Sequence, residues 1–577
     1  MKKLISHRQT RSAVPGLTGC PELLQRVYSS RGVTEQADLD RTLGAMLKPD
    51  TMKGLEAAVQ LLVDAVTEQR RVLIVGDFDA DGATSSALGV LALQALGLPH
   101  VGYLVPNRFE YGYGLTPEIV EVARAQNPDL IVTVDNGIAS IDGVAAAKAA
   151  GIKVLVTDHH LPADDLPDAD AILNPNQRGC EFPSKNLAGV GVVFYLMVSL
   201  RAALRDVGWF TLQNIAEPNM AEFLDLVALG TVADVVPLDR NNRILVHQGL
   251  QRMRAGKLRP GIKALLDISG RSLHRLVASD MGFAVGPRLN AAGRLDDMSL
   301  GIECLLCNSE PLAREMAYEL DGLNKDRRAI ESSMQQEAMQ SLESLNLESE
   351  GQLPWGLCLY DADWHQGVVG ILASRIKDRF HRPVIAFADG DNGDIKGSAR
   401  SIPGLHIRDA LDAVANQNPG LLQKFGGHAM AAGLSLEKQQ LQTFTEAFDR
   451  VVRERLEESD LQAEVLSDGT LSAADISFSN AQLLRDSGPW GQHFPEPVFD
   501  GVFKIVQQRL VGEKHLKLVL QADNSSELLD GIAFNVDLEL WPNPSFETVQ
   551  LAYRLDINEF RGNQSLQLMI EYLEPVS

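Results

Sequence analysis

The chain has 577 residues, which is too long for one ordinary domain and predicts about three or four. Hydrophobic residues make up 45% and charged residues 22%, a composition typical of packed globular domains and not of disordered or fibrous proteins. Its 53 Lys and Arg against 76 Asp and Glu give a net charge of −23, which excludes a protein that coats nucleic acid or an anionic membrane through bulk charge, although not one with a local basic groove.

Residues 1–55 show helical spacing without a motif, and we predict an N-terminal helical segment there. Within residues 56–305, short apolar runs alternate with amphipathic stretches. Continuous apolar strands separated by helices indicate a parallel sheet covered on both faces, in which chemistry gathers at the carboxyl ends of the strands. The predicted strands cover residues 71–76, 101–105, 129–134 and 153–157.

Three further segments follow along the chain. Residues 306–350 predict a long polar helix that connects two domains, and residues 351–460 predict a second, smaller α/β domain. Residues 464–577 contain about five strands with alternating apolar and polar residues, which favours a β-barrel similar to the oligonucleotide-binding (OB) fold. The predicted fold class is therefore α/β with two sheet domains, a connecting helix and a C-terminal barrel.

Cysteine usage and hydropathy indicate the compartment. The longest apolar stretch, residues 187–200, favours a buried helix over a membrane span because a span needs about 20 residues. The N-terminus lacks the apolar core of a secretory signal peptide. We therefore expect a cytoplasmic protein with no membrane partner, and we expect a monomer. Five scattered cysteines make no disulfide framework and favour a reducing compartment: Cys20, Cys180, Cys304, Cys307 and Cys358.

Three aspartates at alternate positions, Asp77, Asp79 and Asp81, follow the first predicted strand. A calcium-binding EF-hand loop would need Glu at its twelfth position, where this chain has Leu88, and it would follow a helix. Three carboxylates this close repel one another and require cations or protons. The motif therefore favours a metal site over a solvated turn.

Two other predicted strands end in similar chemistry, and a fourth acidic segment follows a helical stretch. Each of these residues alone has an ordinary explanation as a turn, a structural histidine or a helix cap. Together they predict one site, because the ends of parallel strands meet at one edge of a sheet. Carboxylate and imidazole ligands suit Mn²⁺ or Mg²⁺, and an Asp that bridges two cations would give a two-metal centre for phosphoester hydrolysis. The additional residues are Asp135, Asp158, His159, His160 and Asp234.

These motifs together resemble the DHH family of phosphoesterases. Residues 365–375, 397–401 and 426–433 resemble the accessory substrate-binding domain of that family, called DHHA1. With the motif at residues 286–295 and the terminal barrel, the whole chain resembles those family members that are single-strand-specific 5′→3′ DNA exonucleases. The resemblance implies that residues 56–305 form the catalytic domain, 351–460 the substrate-binding domain and 464–577 a nucleic-acid-binding domain.

The resemblance also implies a role for each site residue. Two divalent cations, Mn²⁺ or Mg²⁺, are expected. Asp79 and Asp135 would bind one of them, with Asp135 bridging, and the second would take Asp81, His159 and Asp234. His160 would face the scissile phosphate and Asp158 would orient the histidines. Many small-substrate members have a His where this chain has Val75, and we expect Asp77 to supply that ligand. The DNA- or phosphate-binding residues would be Arg288, Asn290, Ser398, Arg400 and His428.

The expected function is metal-dependent hydrolysis of single-stranded DNA, releasing nucleoside 5′-monophosphates from the 5′ end. The resemblance further implies work in DNA recombination and in mismatch or excision repair, beside a single-strand-binding protein and an unwinding helicase. Two alternatives remain open from the sequence. One is a small-substrate DHH phosphodiesterase that cuts short oligonucleotides or cyclic dinucleotides, and the other is a non-catalytic single-strand DNA-binding scaffold.

Overall fold

A computed structural model gives the fold and describes residues 2–9, 17–107, 114–348, 353–390, 393–523, 525–560 and 562–576. The chain divides into two compact units. What we call the first unit contains Gln9–Asn324 and Ser477–Pro497, and the second contains Met1–Arg8, Lys325–Ile476 and Val498–Ser577. Each unit has its own sheets.

The described strands lie in chain order as follows: β1 (Leu4–His7), β2 (Val72–Gly76), β3 (Val101–Leu104), β4 (Leu130–Val134), β5 (Lys153–Thr157), β6 (Ala171–Leu173), β7 (Leu357–Tyr360), β8 (Val384–Asp389), β9 (Asp394–Arg400), β10 (Lys424–Gly427), β11 (Ala431–Glu437), β12 (Glu464–Ser467), β13 (Phe499–Val511), β14 (His515–Ala522), β15 (Leu528–Ala533), β16 (Thr548–Phe560) and β17 (Asn563–Val576).

The described α-helices are α1 (Glu22–Ser29), α2 (Leu55–Thr67), α3 (Ala80–Ala95), α4 (Pro117–Arg124), α5 (Ile141–Ala149), α6 (Gly189–Asp206), α7 (Trp209–Gln213), α8 (Leu224–Ala233), α9 (Arg240–Arg254), α10 (Pro260–Ile268), α11 (Ala278–Asp280), α12 (Gly286–Leu295), α13 (Ser299–Leu306), α14 (Glu310–Glu348), α15 (Val369–Phe380), α16 (Ile407–Gln417), α17 (Leu441–Arg455) and α18 (Phe478–Asp486). A π-helical turn, Met281–Val285, leads into α12.

The first unit contains a five-stranded sheet in the order β3-β2-β4-β5-β6, with every neighbouring pair parallel. All residues of β2 and β4 are buried, as expected for strands covered on both faces. The apolar side chains of α4 and α5 form one core with β2, β4 and β5, and α3 and α6 also pack on the strands. The predicted parallel-sheet domain is confirmed, and its central strands end at one shared edge.

The second unit contains a mixed sheet in the order β10-β11-β9-β8-β7, in which β7 and β8 are parallel and the other pairs antiparallel. Phe387 of β8 packs edge-on against Phe444 of α17 in the core beneath this sheet. Five further strands close into a barrel in the order β13-β14-β15-β17-β16. The predicted smaller α/β domain and terminal barrel are both confirmed.

The long connecting helix is also confirmed as α14, which has 39 residues. It starts in the first unit and ends in the second, because the division between the units falls between Asn324 and Lys325. Among the described residues, no helix has the length and apolar character needed to cross a membrane.

The structure differs from the sequence prediction at two places. Residues 1–55 are not simply helical, because Leu4–His7 forms β1 and pairs in parallel with Glu464–Ser467. A four-residue strand whose partner lies some 460 positions away leaves no periodic signal in its own sequence. The second difference concerns Ser477–Pro497, which packs with the first unit although it lies within the predicted C-terminal domain.

Candidate metal centre and phosphate-binding residues

The acidic and histidine residues gather where β2, β4 and β5 end. These strands are parallel neighbours, so the segments that follow them meet at the same edge of the sheet. Asp77 follows β2, Asp135 follows β4, and Asp158 follows β5. Asp234 arrives from a different direction, since it caps the C-terminal end of α8.

The start of α3 fixes the position of Asp79 in the loop after β2. Asp79 is the N-cap of α3, and its Oδ1 atom accepts hydrogen bonds from the backbone N–H groups of Asp81 (2.9 Å) and Gly82 (3.0 Å). A Cβ at position 82 would overlap the backbone of Asp77, so this tight turn requires glycine. One carboxylate oxygen of Asp79 is thus committed to the helix.

Asp81 is fully buried beneath the loop and is held by the N-terminus of α6. Its Oδ2 atom accepts a 2.6 Å hydrogen bond from Gly189 N–H, and its Oδ1 atom accepts a 3.0 Å bond from Val190 N–H. The positive end of the helix dipole therefore helps to stabilise this carboxylate. The sequence analysis missed these two N–H donors. The feature that could have indicated them is Gly189, near the start of the apolar stretch 187–200.

His159 lies close to both Asp135 and Asp234. Its Nε2 atom lies 3.0 Å from Oδ1 of Asp135 and 3.6 Å from Oδ2 of Asp234. Asp135 adopts a left-handed backbone with φ 62°, a conformation that non-glycine residues rarely adopt and that occurs often at functional sites. A Cβ at position 189 would crowd the side chain of Asp135, so Gly189 lets α6 approach it closely.

The cluster contains three sets of three residues, and within each set the ligand atoms lie within 4.8 Å of one another. The structure thus brings together all the residues that the sequence analysis assigned to the metal site. Asp158, which was expected to orient the histidines, is outside these sets and contacts His160 instead. The set with His160 shares Asp135 with one of the other two sets and His159 with the other, so the three sets adjoin. They are Asp77, Asp79 and Asp135; Asp81, His159 and Asp234; and Asp135, His159 and His160.

Asp158 is buried and holds His160. Its Oδ1 atom contacts Nδ1 of His160 at 2.7 Å, and its Oδ2 atom accepts a 2.9 Å hydrogen bond from Ile138 N–H. Burial acts to raise the pKa of Asp158, but the hydrogen bond and charge of His160 outweigh it, and the pKa is lowered. Burial likewise acts to lower the pKa of His160, but Asp158 reverses that effect and raises the pKa to about 9.

Two asparagines missed by the sequence analysis hold the backbone of the histidine pair. Asn174 Nδ2 donates to the carbonyl oxygen of His160 at 2.9 Å, and Asn176 Nδ2 donates to that of His159 at 2.6 Å. Both asparagines lie just beyond β6, the neighbour of β5. Polar residues just beyond a strand end were the available signal, but β6 itself was not predicted.

The electrostatics and donor set of the cluster fit divalent cations. Burial, followed by the charge of Asp234, raises the pKa of Asp81 to about 7. Burial and then the charge of Asp79 raise the pKa of Asp234 to about 7, and the pKa of Asp135 rises well above its ordinary value for similar reasons. His159 Nε2 and Asp234 Oδ2 are buried and make no hydrogen bond within the described part of the chain. Oxygen and imidazole donors left facing each other in this way suit Mn²⁺ or Mg²⁺.

Arg288 and Asn290, predicted to contact phosphate, lie on α12 and already have partners within the first unit. Arg288 is buried, and its Nε and Nη2 atoms contact Oδ1 of Asp321 at 2.9 and 2.8 Å. Its Nη1 atom donates to Ala284 O at 2.6 Å, so a phosphate would have to use the remaining protons of Nη1 and Nη2. Asn290 Oδ1 accepts a 2.8 Å hydrogen bond from Ala80 N–H, which leaves its amide group as the donor.

Ser398, Arg400 and His428, the other predicted phosphate-binding residues, lie together in the second unit. Ser398 and Arg400 are on β9, and His428 lies in the turn between β10 and β11. This turn lies next to Arg400, because Ala431, the first residue of β11, pairs with Arg400. Arg400 Nη1 donates to Ser398 Oγ at 3.0 Å and to Ala399 O at 2.8 Å. Burial lowers the pKa of Arg400, and no carboxylate of the described residues lies within ion-pair distance of it. This guanidinium is therefore placed to attract an anion.

Comparison with known protein families gives matches to three parts of the chain. A family model described as "DHH family, N-terminal domain" matches residues 71–231. A model described as "DHHA1 domain" matches residues 355–454, and one described as "RecJ OB domain" matches residues 467–572. The predicted resemblance to the DHH family is confirmed.

Relatives that match nearly the full length of the chain identify the family more specifically. The chain is 61% identical over 556 residues to "Single-stranded-DNA-specific exonuclease RecJ" of Salmonella typhimurium, covering 96% of both proteins. It is 60% identical to the protein of the same name from Escherichia coli, again with 96% of both covered.

Among solved structures, a crystal structure of "RecJ in complex with Mn2+" from Thermus thermophilus is similar with a TM-score of 0.78 and 28% identity, over 96% of this chain and 76% of that one. The corresponding complex with Mg²⁺ has a TM-score of 0.71 at 27% identity, over 100% of this chain and 78% of that one. Identity of about 60% over nearly the full length of both proteins shows the family, and the chain therefore belongs to the RecJ family of single-stranded-DNA-specific exonucleases.

Proposed function

We propose that this protein hydrolyses single-stranded DNA from its 5′ end and releases nucleoside 5′-monophosphates. The observation that carries the proposal is the pair of adjoining ligand sets that meet where His159 contacts Asp135. Relatives that match nearly the full length are named as single-stranded-DNA-specific exonucleases, which supports this substrate over a short oligonucleotide or a cyclic dinucleotide. A scaffold without catalysis would have no use for a buried acidic cluster that is costly without cations.

Two divalent cations are proposed as cofactors, and Mn²⁺ and Mg²⁺ are the candidates because similar structures were solved with each. One would be held by Asp77, Asp79 and Asp135, and the other by Asp81, His159 and Asp234, with Asp135 between them. When bound, such a pair supplies an activated water and stabilises the leaving oxygen of a phosphodiester. This assignment gives Asp77 a direct ligand role, as the sequence analysis expected.

The remaining residues of the centre bind and orient. In the metal-free protein, Asp158 raises the pKa of His160 to about 9, which favours a positively charged imidazole at neutral pH, and we propose that it contacts the scissile phosphate. Asp158 keeps that imidazole protonated on Nδ1 and fixes its ring through their 2.7 Å contact. Asn174 and Asn176 hold the backbone of both histidines through bonds that do not involve the substrate.

The phosphate at the 5′ end is proposed to bind Arg400, with Ser398 and His428 beside it. A Cβ at position 370 would crowd Ser398 Oγ and Arg400 Nη2, so Gly370 lets the start of α15 approach these two side chains closely. Backbone N–H groups at a helix start and a guanidinium together form a favourable anion site. In the first unit, Arg288 and the amide group of Asn290 are proposed to contact phosphates of the strand.

We further propose the following division of labour along the chain. Residues 56–305 carry the catalytic centre, 306–350 connect, 351–460 bind substrate, and 464–577 bind nucleic acid beyond the centre, with 1–55 as an N-terminal segment. The protein would act as a monomer in the cytoplasm, in recombination and in mismatch or excision repair. A single-strand-binding protein and an unwinding helicase would be its partners, since an enzyme specific for single strands needs a supply of them.

One experiment tests reaction, polarity, strand preference and cofactor together. Oligonucleotides labelled at the 5′ or the 3′ end, single-stranded or duplex, are digested with Mn²⁺, with Mg²⁺ or with a chelator. The proposal predicts immediate release of a labelled mononucleotide from the 5′-labelled single strand, slow loss of duplex, and no reaction with chelator. Release from the 3′ end first, or activity in chelator, would contradict it.

A further inference from the structure

Helix α12 lies against both segments that bring aspartates into the metal centre. At its start, Gly286 lies so close to Ala233 that a Cβ there would be only 3.1 Å from the Cβ of that residue, which directly precedes Asp234. Near its end, a Cβ at Gly293 would overlap the carbonyl oxygen of Phe78 in the loop after β2. The helix is therefore packed tightly enough against both segments to transmit a shift of its own position to them.

A side-chain hydrogen bond from α12 to that loop comes from Asn290. Its Oδ1 atom accepts from Ala80 N–H at 2.8 Å, and Ala80 lies between Asp79 and Asp81 in the sequence. Ala80 is the first residue of α3, so its N–H has no partner within that helix. Asn290 thus fixes the peptide between Asp79 and Ala80, within the segment that joins two proposed ligands of different cations.

The ion pair of Arg288 with Asp321 fixes α12 from its opposite side. Both Nε and Nη2 contact Asp321, and all groups involved are buried, so rotation or sliding of α12 would break a buried ion pair. The helix thus has a polar anchor toward α14 and another toward the loop, separated by two positions in sequence. Its small residues Gly286 and Gly293 allow close packing at both ends.

We propose that α12 acts as a template for the metal centre and that Asn290 is a positioning residue for Asp79 and Asp81. Without its Oδ1 atom, the peptide of Ala80 is free to reorient, and the two carboxylates lose their mutual geometry. Partners outside the ligand shell that orient metal ligands contribute about 10- to 100-fold to metal affinity. The inference rests on the proposed metal-dependent function, but it concerns metal binding before any DNA is present.

The test measures Mn²⁺ binding to the full-length protein by isothermal titration calorimetry without DNA. Asn290→Ala removes the acceptor and is expected to weaken binding by about tenfold or more. Asn290→Asp keeps an oxygen toward Ala80 N–H but loses the amide group, so it is expected to bind Mn²⁺ within about threefold of the original protein or more tightly. Comparing the two variants separates the two roles of Asn290. Both variants lose any DNA contact made by the amide group, but only Asn290→Ala loses the oxygen that positions the loop.

Two further variants complete the design. Gly293→Ala places a methyl group against Phe78 and is expected to weaken Mn²⁺ binding without removing any polar group. Asn219→Ala is the matched control, because Asn219 Oδ1 also accepts from a backbone N–H, that of Ala221, but at an exposed turn away from the cluster. It should leave Mn²⁺ binding unchanged.

Equal Mn²⁺ affinity of Asn290→Ala and the original protein would overturn the inference, as would equal losses in the Ala and Asp variants with folding intact by circular dichroism. Absence of Mn²⁺ binding by the original protein would instead refute the proposed function itself. The two failures are therefore distinguishable.

Discussion

Nδ1 of His160 lies 2.7 Å from Oδ1 of Asp158, and this contact outweighs burial to raise the pKa of the imidazole to about 9. The carboxylate is itself fully buried and receives a hydrogen bond from Ile138 N–H, so its position is fixed by the fold and not by the histidine. The stability that this pair contributes to the metal-free protein is fully present below pH 6.5 and is lost as the pH rises through about 9. The imidazole is therefore positively charged at neutral pH in the metal-free protein, and that charge is lost as the pH rises through about 9.

Asp158→Asn should move this loss of charge to lower pH. The substitution keeps the shape of the side chain but removes its charge, so the pKa of His160 should fall toward its ordinary value of 6.5. In metal-free protein at about pH 8, we expect the variant to bind a 5′-phosphorylated single strand about tenfold more weakly, the typical contribution of one charge-assisted hydrogen bond. Fluorescence anisotropy in chelator between about pH 6 and pH 10 measures the effect.

The control for that experiment is His160→Gln, which removes the titrating group and should flatten the pH dependence in both backgrounds. The difference between Asp158→Asn and the original protein should disappear near pH 6, where the histidine is protonated in both. A constant difference across the pH range would mean that Asp158 acts on structure alone.

Asp81→Asn and His159→Ala should abolish hydrolysis while single strands still bind. Each removes a ligand from the set formed with Asp234, and metal catalysis contributes several kcal/mol, so we expect a loss of about 10³-fold or more in kcat. Rates are measured with labelled single strands at saturating Mn²⁺, and binding is measured in parallel. Asp142→Asn, at an exposed acid on α5, is the matched control and should keep full activity. Full activity of either ligand variant would refute the two-cation assignment.

Metal affinity should rise steeply with pH. The pKa values of Asp81 and Asp234 are raised from 3.8 to about 7, so the folded protein keeps protons that the unfolded chain releases above pH 3.8. The metal-free protein therefore loses stability as the pH rises from about 4 to about 7. A cation must displace those protons, so the apparent Mn²⁺ affinity should increase about tenfold per pH unit between about pH 6 and pH 7 for each proton displaced.

Thermal unfolding with and without Mn²⁺ at pH 6 and pH 8 checks this pH dependence. The increase in Tm on adding the same excess of Mn²⁺ should be larger at pH 8, where fewer protons compete. Asp234→Asn removes one of the carboxyl groups whose pKa is raised and should reduce the difference between the two pH values. An equal Tm increase at both pH values would show that the acids are already ionised in the metal-free protein.

Much of the centre was predictable because its residues follow strands with strong local signals. The four predicted strands are continuous apolar runs, and each proves to lie within one or two residues of its predicted bounds. The ends of parallel neighbours must meet, so Asp77, Asp135 and His159 could be placed together without coordinates. Asp234 was harder, because it follows a helix and its approach depends on how α8 packs.

The supporting groups were not predictable, because they arise from tertiary contacts that leave no local pattern. Asp81 is held by backbone N–H groups of residues 189 and 190, more than 100 positions away. Asn290 reaches Ala80 across 210 positions, and its motif alone suggested phosphate binding. The strand β1 likewise depends entirely on its pairing with β12. Hydrogen bonds of this kind are set by helix packing, and periodicity gives no information on them.

Arg400 provides the sharpest test of how the 5′ end is recognised. Arg400 is half-buried, and its described contacts are to Ser398 Oγ and the carbonyl oxygen of Ala399, neither of which carries a charge. A partly desolvated cation without an anionic partner costs free energy that a bound phosphate would recover. Arg400→Ala should therefore raise the KM for a 5′-phosphorylated single strand by about 10- to 100-fold, with a much smaller effect on a strand that ends in a 5′-hydroxyl.

Arg408→Ala is the matched control, because Arg408 is an exposed arginine on α16 of the same unit and its loss removes the same net charge. If both variants raised KM equally for both strand ends, the effect would be one of overall charge and Arg400 would not be the phosphate ligand. Ser398→Ala should give a smaller, intermediate loss with the same preference for the phosphorylated end, because the hydroxyl accepts a hydrogen bond from Arg400 and has its own proton left to donate to a phosphate oxygen. A graded loss that depends on the 5′-phosphate is the result that assigns this cluster to the terminal phosphate and not to the strand as a whole.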